Sequence, residues 1–146
     1  MIDHVSVGVT ALAVAERLYE AALAPLGYEK LVVRPGSIGF GKRYPEFWLH
    51  ARPAMPDVPA GMGDHVALRA ASRDAVDLFH RAALAGGASD DGRPGLRAYS
   101  RAQVYSAFIR DPDGNRIEAM TIVGEVKVGD AIAAAGTGAG TGADGA

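Results

Sequence analysis

Residues 2–9 alternate strictly between two faces. Val5, Val7 and Val9 lie on one side and Ile2, His4, Ser6 and Gly8 on the other, the period-two pattern of a half-buried strand. The period then lengthens. Leu12, Ala15, Leu18, Tyr19, Ala22 and Leu23 recur at helical spacing, Thr10 stands where an N-cap is expected, and Pro25 and Gly27 stop the helix. Short strands are expected over Lys30–Val33, Ser37–Gly41 and Glu46–Ala51, with Pro35-Gly36 as a turn and Arg43-Tyr44-Pro45 as a break. Pro53, Pro56, Pro59, Gly61 and Gly63 read as a linker.

The same order then returns. His65–Arg69 reads as a strand, and Ser72 caps a helix with Asp74 in its first turn and Ala75, Val76, Phe79, Ala83 and Leu84 on its apolar side. Gly86-Gly87 ends it. Residues 88–103 are polar and broken by Gly and Pro, enough for one irregular strand. Val104–Arg110 and Arg116–Val123 are clear strands joined by Asp111-Pro112-Asp113-Gly114, which suits a type I turn. The match extends to residues: His4-Val5 … Ala21-Ala22-Leu23-Ala24 corresponds without a gap to His65-Val66 … Ala82-Ala83-Leu84-Ala85. The unit is too long for a solenoid repeat. It predicts two β-α-β-β-β modules, about 1–55 and 64–123, packed side by side in one α+β domain spanning 1–123. The Gly/Ala/Thr-rich segment 124–146 is expected to be a flexible tail, since it has too little apolar surface to offset its ordering entropy.

Composition narrows the function. A net charge of −2 and scattered Lys and Arg give no basic stripe for nucleic acid. The absence of cysteine rules out disulfides, thiol nucleophiles and thiolate metal sites, so any metal must sit on nitrogen and oxygen. No apolar run is long enough for a membrane span and no signal-peptide layout opens the chain, so a cytoplasmic protein is expected.

Three side chains carry the candidate chemistry. His4 and His65 hold matching places at the first strand of each module, and Glu118 sits in the last strand among Ile117, Met120, Ile122 and Val123. A carboxylate in such a setting is costly unless paired or bound to a cation. Two imidazoles and a carboxylate, with other positions open, suit Fe, Mn, Zn or Ni in the divalent state. Taken singly, each histidine could equally be a hydrogen-bonded structural residue, and Glu118 could pair with Arg116 or Arg110. Tyr105, on the strand beside the last, is a candidate substrate contact or acid/base group, or else a core tyrosine. Arg97, Tyr99 and Arg101, in the segment before that strand, are candidates for holding a substrate anion. His80, in the second helix, is expected to be exposed and is given no role.

The sequence Ile2-Asp3-His4-Val5, the helix with Leu18-Tyr19 and Leu26-Gly27, His65-Val66-Ala67, and above all Phe108-Ile109-Arg110-Asp111-Pro112-Asp113-Gly114-Asn115-Arg116-Ile117-Glu118 resemble the vicinal oxygen chelate superfamily. That superfamily includes glyoxalase I, extradiol dioxygenases, fosfomycin-resistance enzymes and bleomycin-resistance proteins. The resemblance implies two βαβββ modules forming a cup-shaped, partly open mixed β-sheet barrel with helices outside and one divalent metal ion inside. His4, His65 and Glu118 match three of the family's metal-ligand positions, with Glu118 also catalytic. Aligning the two modules sets Trp48 on Glu118, which puts glyoxalase I activity in doubt and makes Trp48 a pocket wall or a core aromatic. His50 and Glu46 share its face as candidate substitute ligands, although His50 reads first as a strand-end surface residue. The implied function is a metal-dependent enzyme of lyase, isomerase, ring-opening dioxygenase or addition type, acting on a small substrate chelated through adjacent oxygens. The alternative is a metal-free sequestering protein of the bleomycin-resistance type. The family commonly assembles as homodimers.

Overall fold

A computed structural model describes residues 2–57, 59, 62–99 and 102–125. The first module runs β1 (Val5–Val9), α1 (Leu12–Leu23), a 3-10 turn (Ala24–Leu26), β2 (Glu29–Arg34), β3 (Ser37–Gly41) and β4 (Pro45–Ala51). The second runs β5 (Val66–Arg69), α2 (Arg73–Ala85), β6 (Ser89–Tyr99), β7 (Ala102–Arg110) and β8 (Arg116–Glu125). Each module forms a four-stranded sheet, ordered β1-β4-β3-β2 and β5-β8-β7-β6. The first strand of each runs parallel to the last, and the remaining pairs are antiparallel. This is the α+β architecture expected from the repeat, with two mixed sheets that stay open and do not close into a barrel.

Alternation decides which face of each sheet is covered. Phe47 and Leu49 of β4, Ile38 and Phe40 of β3, and Ala107, Ile109, Ile117 and Ala119 of β7 and β8 join Leu18, Tyr19, Leu23, Val76 and Phe79 of the helices in one core. Each of the larger side chains contributes roughly 1.5–3 kcal/mol by leaving water. The residues between them in sequence, including Trp48, His50 and Glu118, therefore lie on the other face of the sheets.

The modules are joined at two places. Helix α1 packs on α2, and the turn between β7 and β8 docks on the end of β1. The Asp111 carboxylate organises that turn: Oδ1 accepts from the backbone N–H of Asp113 (3.0 Å) and of Asn115 (2.8 Å). Its Oδ2 accepts from Asn115 Nδ2 and from the Tyr19 hydroxyl on α1, both at 2.8 Å. Asn115 Nδ2 also donates to the Gly8 carbonyl on β1 (2.8 Å). Gly114 has φ 89°, which glycine adopts without steric cost.

Several expectations are corrected. Thr10 does not cap α1, whose N-cap position is Ala11 and carries no side-chain cap. Its hydroxyl and backbone N–H instead donate to Asp113 Oδ1, at 2.5 and 3.1 Å, because the docked turn brings a carboxylate to that junction. His4 and His65 each sit one residue ahead of their strands. His80 is buried, with Nε2 2.9 Å from Asp90 Oδ1, tying α2 to the start of β6. That strand is the one irregular strand expected within 88–103, with two register shifts around Gly92 and Gly95. Strand β8 takes in Gly124 and Glu125; residues 126–146 of the expected tail lie outside the described residues.

Candidate functional site

The two modules carry one register. Val5 pairs with Phe47 and Ser6 with Trp48 in the first sheet, as Val66 pairs with Ile117 and Ala67 with Glu118 in the second. Counting from the histidine that precedes each first strand, Trp48 and Glu118 hold the same position. The first sheet therefore presents an indole where the second presents a carboxylate.

On the second sheet, His65 Nε2 lies 3.2 Å from Glu118 Oε2. Glu118 is only 5% exposed, and among the described residues the imidazole is its one partner within hydrogen-bond distance. The two nearby guanidinium groups do not neutralise it. Arg110 donates to Asp91 Oδ1 (3.2 Å) and Arg116 to Asp91 Oδ2, so Asp91 takes both cations that the sequence offered to Glu118. Phe108 walls the pair: the His65 ring meets its edge at a centroid distance of 5.4 Å, and Arg97 and Arg116 lie over its ring at 5.2 and 4.3 Å. Arg97 is itself fixed, with Nε donating to Ser106 Oγ (2.9 Å) and a terminal nitrogen donating to the Arg93 carbonyl (3.1 Å).

On the first sheet, Asp3, His4, Arg34, Ser37, Tyr44, Pro45, Trp48 and His50 line a cavity of about 570 Å³. His4 Nδ1 is 2.7 Å from Asp3 Oδ2. The Trp48 ring rests on Gly39, its partner in the adjacent strand; a Cβ there would lie 3.1 Å from the indole and 2.8 Å from Pro45 Cβ. The His50 ring stands 6.1 Å from the indole with its plane turned by 19°, and the Arg34 guanidinium lies over the indole at 5.5 Å.

One chain brings together His65 and Glu118, and separately His4, Trp48 and His50, but it does not unite the three expected metal ligands. Among the described residues, no three His, Asp or Glu side chains are gathered closely enough to hold a metal ion. Tyr105 is not brought to Glu118. It packs against the core on the helix side, and its hydroxyl donates to Asp77 Oδ1 on α2 (2.9 Å). That hydrogen bond raises the phenol's pKa further, holding it protonated. Arg97 lies beside the His65–Glu118 pair through Phe108, whereas Arg101 and the side chain of Tyr99 lie outside the described residues. Sequence reading passed over Arg34, Phe108 and Asp91. For Arg34 a signal existed: counting alternation across the Pro35-Gly36 turn pairs Arg34 with Ser37, and Ser37 with His50.

The model of the Glyoxalase/Bleomycin resistance protein/Dioxygenase superfamily matches residues 1–119. Among solved structures, a glyoxalase/bleomycin resistance protein from Albidiferax ferrireducens T118 is 31% identical with a TM-score of 0.72. The alignment covers 81% of this chain and 96% of that one. A glyoxalase/bleomycin resistance protein/dioxygenase family enzyme from Burkholderia phytofirmans PsJN has 17% identity and a TM-score of 0.63, over 84% and 98% of the two chains. A glyoxalase-related enzyme from Fulvimarina pelagi has 15% identity and a TM-score of 0.62, over 82% and 86%. The last two share the fold alone. No curated protein matches the sequence.

Proposed function

Because the chain belongs to the Glyoxalase/Bleomycin resistance protein/Dioxygenase superfamily, we propose that it is a divalent-metal-dependent enzyme whose small substrate chelates through adjacent oxygens. In this reading His65 and Glu118 of one chain and His4 of the partner subunit hold the ion, in a homodimer. The observation that carries it is the His65–Glu118 pair: a carboxylate 5% exposed, with an imidazole at 3.2 Å and both nearby arginines drawn off to Asp91. A buried carboxylate left with so little compensation is costly, and it suits a cation site.

The donor set, two imidazoles and a carboxylate, fits Fe, Mn, Zn or Ni in type, but one chain gathers only two of the three. Both sheets bury one face on the helices, and the donors lie on the other. Facing the first sheet of one copy against the second sheet of another adds the missing histidine. A bound ion would stabilise negative charge developing on substrate oxygens, the chemistry shared by lyase, isomerase, ring-opening and addition reactions of this kind. The chain's own residues do the rest. His65 Nε2 stands within hydrogen-bond distance of Glu118 Oε2 and orients it, and Glu118 is the carboxylate placed to act as base toward substrate. Phe108 excludes water beside them, and Arg97, fixed by Ser106, presents positive charge to an anionic substrate.

The test is complementation. Metal would be measured by mass spectrometry on His4→Ala, on Glu118→Ala and on a dimer assembled from one chain of each. If the site is shared between chains, one of the two sites in the mixed dimer keeps all three ligands. The single variants then lose the metal and the mixed dimer regains about half an equivalent per chain. A wild-type protein that retains none of the four ions overturns the reading. A mixed dimer as empty as its parents overturns the sharing. A second reading, a metal-free protein that sequesters a small molecule, is favoured by one observation: the 570 Å³ cavity is lined by residues of the first module alone.

A further inference from the structure

We propose that the open face of the first sheet is a binding site for a planar aromatic carboxylate, its ring against Trp48 and its carboxylate on Arg34. The proposal concerns what the protein binds and requires no metal, so it stands or falls apart from the metal reading.

Size and shape come first. The cavity of about 570 Å³ is within the usual range for a small ligand. Its floor is aromatic and rigid. Gly39 has no side chain, so the indole of Trp48 can lie directly on the strand, where any Cβ would strike it or Pro45. The His50 ring stands 6.1 Å away, near-parallel to the indole with its plane turned by only 19°. An indole held against the neighbouring strand is a surface for another flat ring, since aromatic pairs gain energy beyond the area they bury.

Charge selects the other end of the ligand. The guanidinium of Arg34 reaches over the indole, and among the described residues no carboxylate pairs with it. Its planar fork matches a carboxylate in two-point contact. His4 and His50 add imidazoles, whereas the one acid of the lining, Asp3, is already engaged by His4 at 2.7 Å. Ser37 and Tyr44 bring hydroxyls for the ligand's remaining oxygens. The lining therefore disfavours a cation, which aromatic and acidic walls would have suited, and favours a flat monoanion.

Trp48 is the only tryptophan in the chain, so its fluorescence reports on this site directly. The full-length protein, as purified and again after chelator treatment and desalting, would be titrated with 4-nitrobenzoate, a non-fluorescent planar carboxylate. Two comparison ligands separate the parts: 4-nitrobenzamide keeps the ring without the charge, and cyclohexanecarboxylate keeps the charge without the ring. Saturable quenching by 4-nitrobenzoate is expected in both preparations, with each comparison ligand binding about tenfold more weakly or worse. Arg34→Gln should weaken 4-nitrobenzoate about tenfold, and Arg34→Lys, which keeps the charge without the fork, by less. Arg34 is exposed, so both variants should fold, as circular dichroism would check. No saturation below about 10 mM, in the weak-binding range, overturns the proposal. So does equal binding of the amide, or unchanged affinity in Arg34→Gln.

Discussion

The Tyr19 hydroxyl on α1 donates a 2.8 Å hydrogen bond to Asp111 in the turn between β7 and β8, joining the first module to the second through a buried pair. Removing the donor leaves Asp111 Oδ2 with Asn115 Nδ2 alone. Tyr19→Phe keeps the ring packed against Phe47 and deletes only the hydroxyl. Its expected cost is about 1–2 kcal/mol, read as a lower urea midpoint with an unchanged slope. An unchanged midpoint would show that this bond does not hold the modules together.

The same carboxylate sets a pH dependence of unusual sign. Burial pushes the pKa of Asp111 up, against the opposing pull of its hydrogen bonds from Asn115 and Tyr19. A carboxyl whose native pKa is raised binds more protons folded than unfolded over the interval between the two values. Its contribution is therefore fully present below the ordinary carboxylate pKa and is lost as pH rises through the raised native value. Asp111→Asn removes this term. The stability gap between wild type and variant should be widest at low pH and narrow as pH rises through that window, then level off. A gap that widens with rising pH would contradict the raised pKa.

How far the sequence reaches is visible in this turn. Asp111-Pro112-Asp113-Gly114 is legible as a type I turn, and the Gly114 N–H does donate to the Asp111 carbonyl (3.0 Å). That its Asp and Asn side chains reach Gly8, Thr10 and Tyr19 is not legible, because those partners lie in the other module. The period-two pattern likewise identified β1, strands were also expected where β2, β3, β4, β5, β7 and β8 lie, and the repeat placed Trp48 opposite Glu118 in register. Side-chain pairing between distant strands escaped it. Arg110 and Arg116 turn to Asp91, and His80 is buried against Asp90 although its helix position reads as exposed. Periodicity gives the face a side chain points from, and the third dimension decides what it meets there.

Gly39 is the position where one methyl group should disturb the first-sheet face without touching charge. Its added Cβ would sit 2.8 Å from Pro45 Cβ and 3.1 Å from the Trp48 ring. The proline cannot turn away, so the strands must shift apart locally, and the indole must give way with them. Gly39→Ala should shift the emission maximum of the single tryptophan and cost about 1–3 kcal/mol as overpacking. An unchanged spectrum would mean that the ring does not rest on the strand.

The His65–Glu118 pair predicts opposite outcomes for two substitutions made in metal-free protein. His65→Leu strands a carboxylate that is 5% exposed, with Arg110 and Arg116 both committed to Asp91. Leaving a buried acceptor unpaired costs about 1–3 kcal/mol, more for a charged group. Glu118→Leu instead removes the group that needed a partner, and replacing a buried ionic pair by apolar side chains is often neutral or stabilising. The double variant His65→Leu/Glu118→Leu should therefore recover most of the stability lost in His65→Leu. Urea denaturation of the four proteins closes the cycle, and a large positive coupling is expected. If His65→Leu alone is neutral, the imidazole does not compensate Glu118, and the pair is not the reserve of cation affinity on which the proposed metal site depends. A rescued double variant that no longer binds any of the four ions would show the converse: the carboxylate is kept at this buried position at a cost in stability, for the ion it holds.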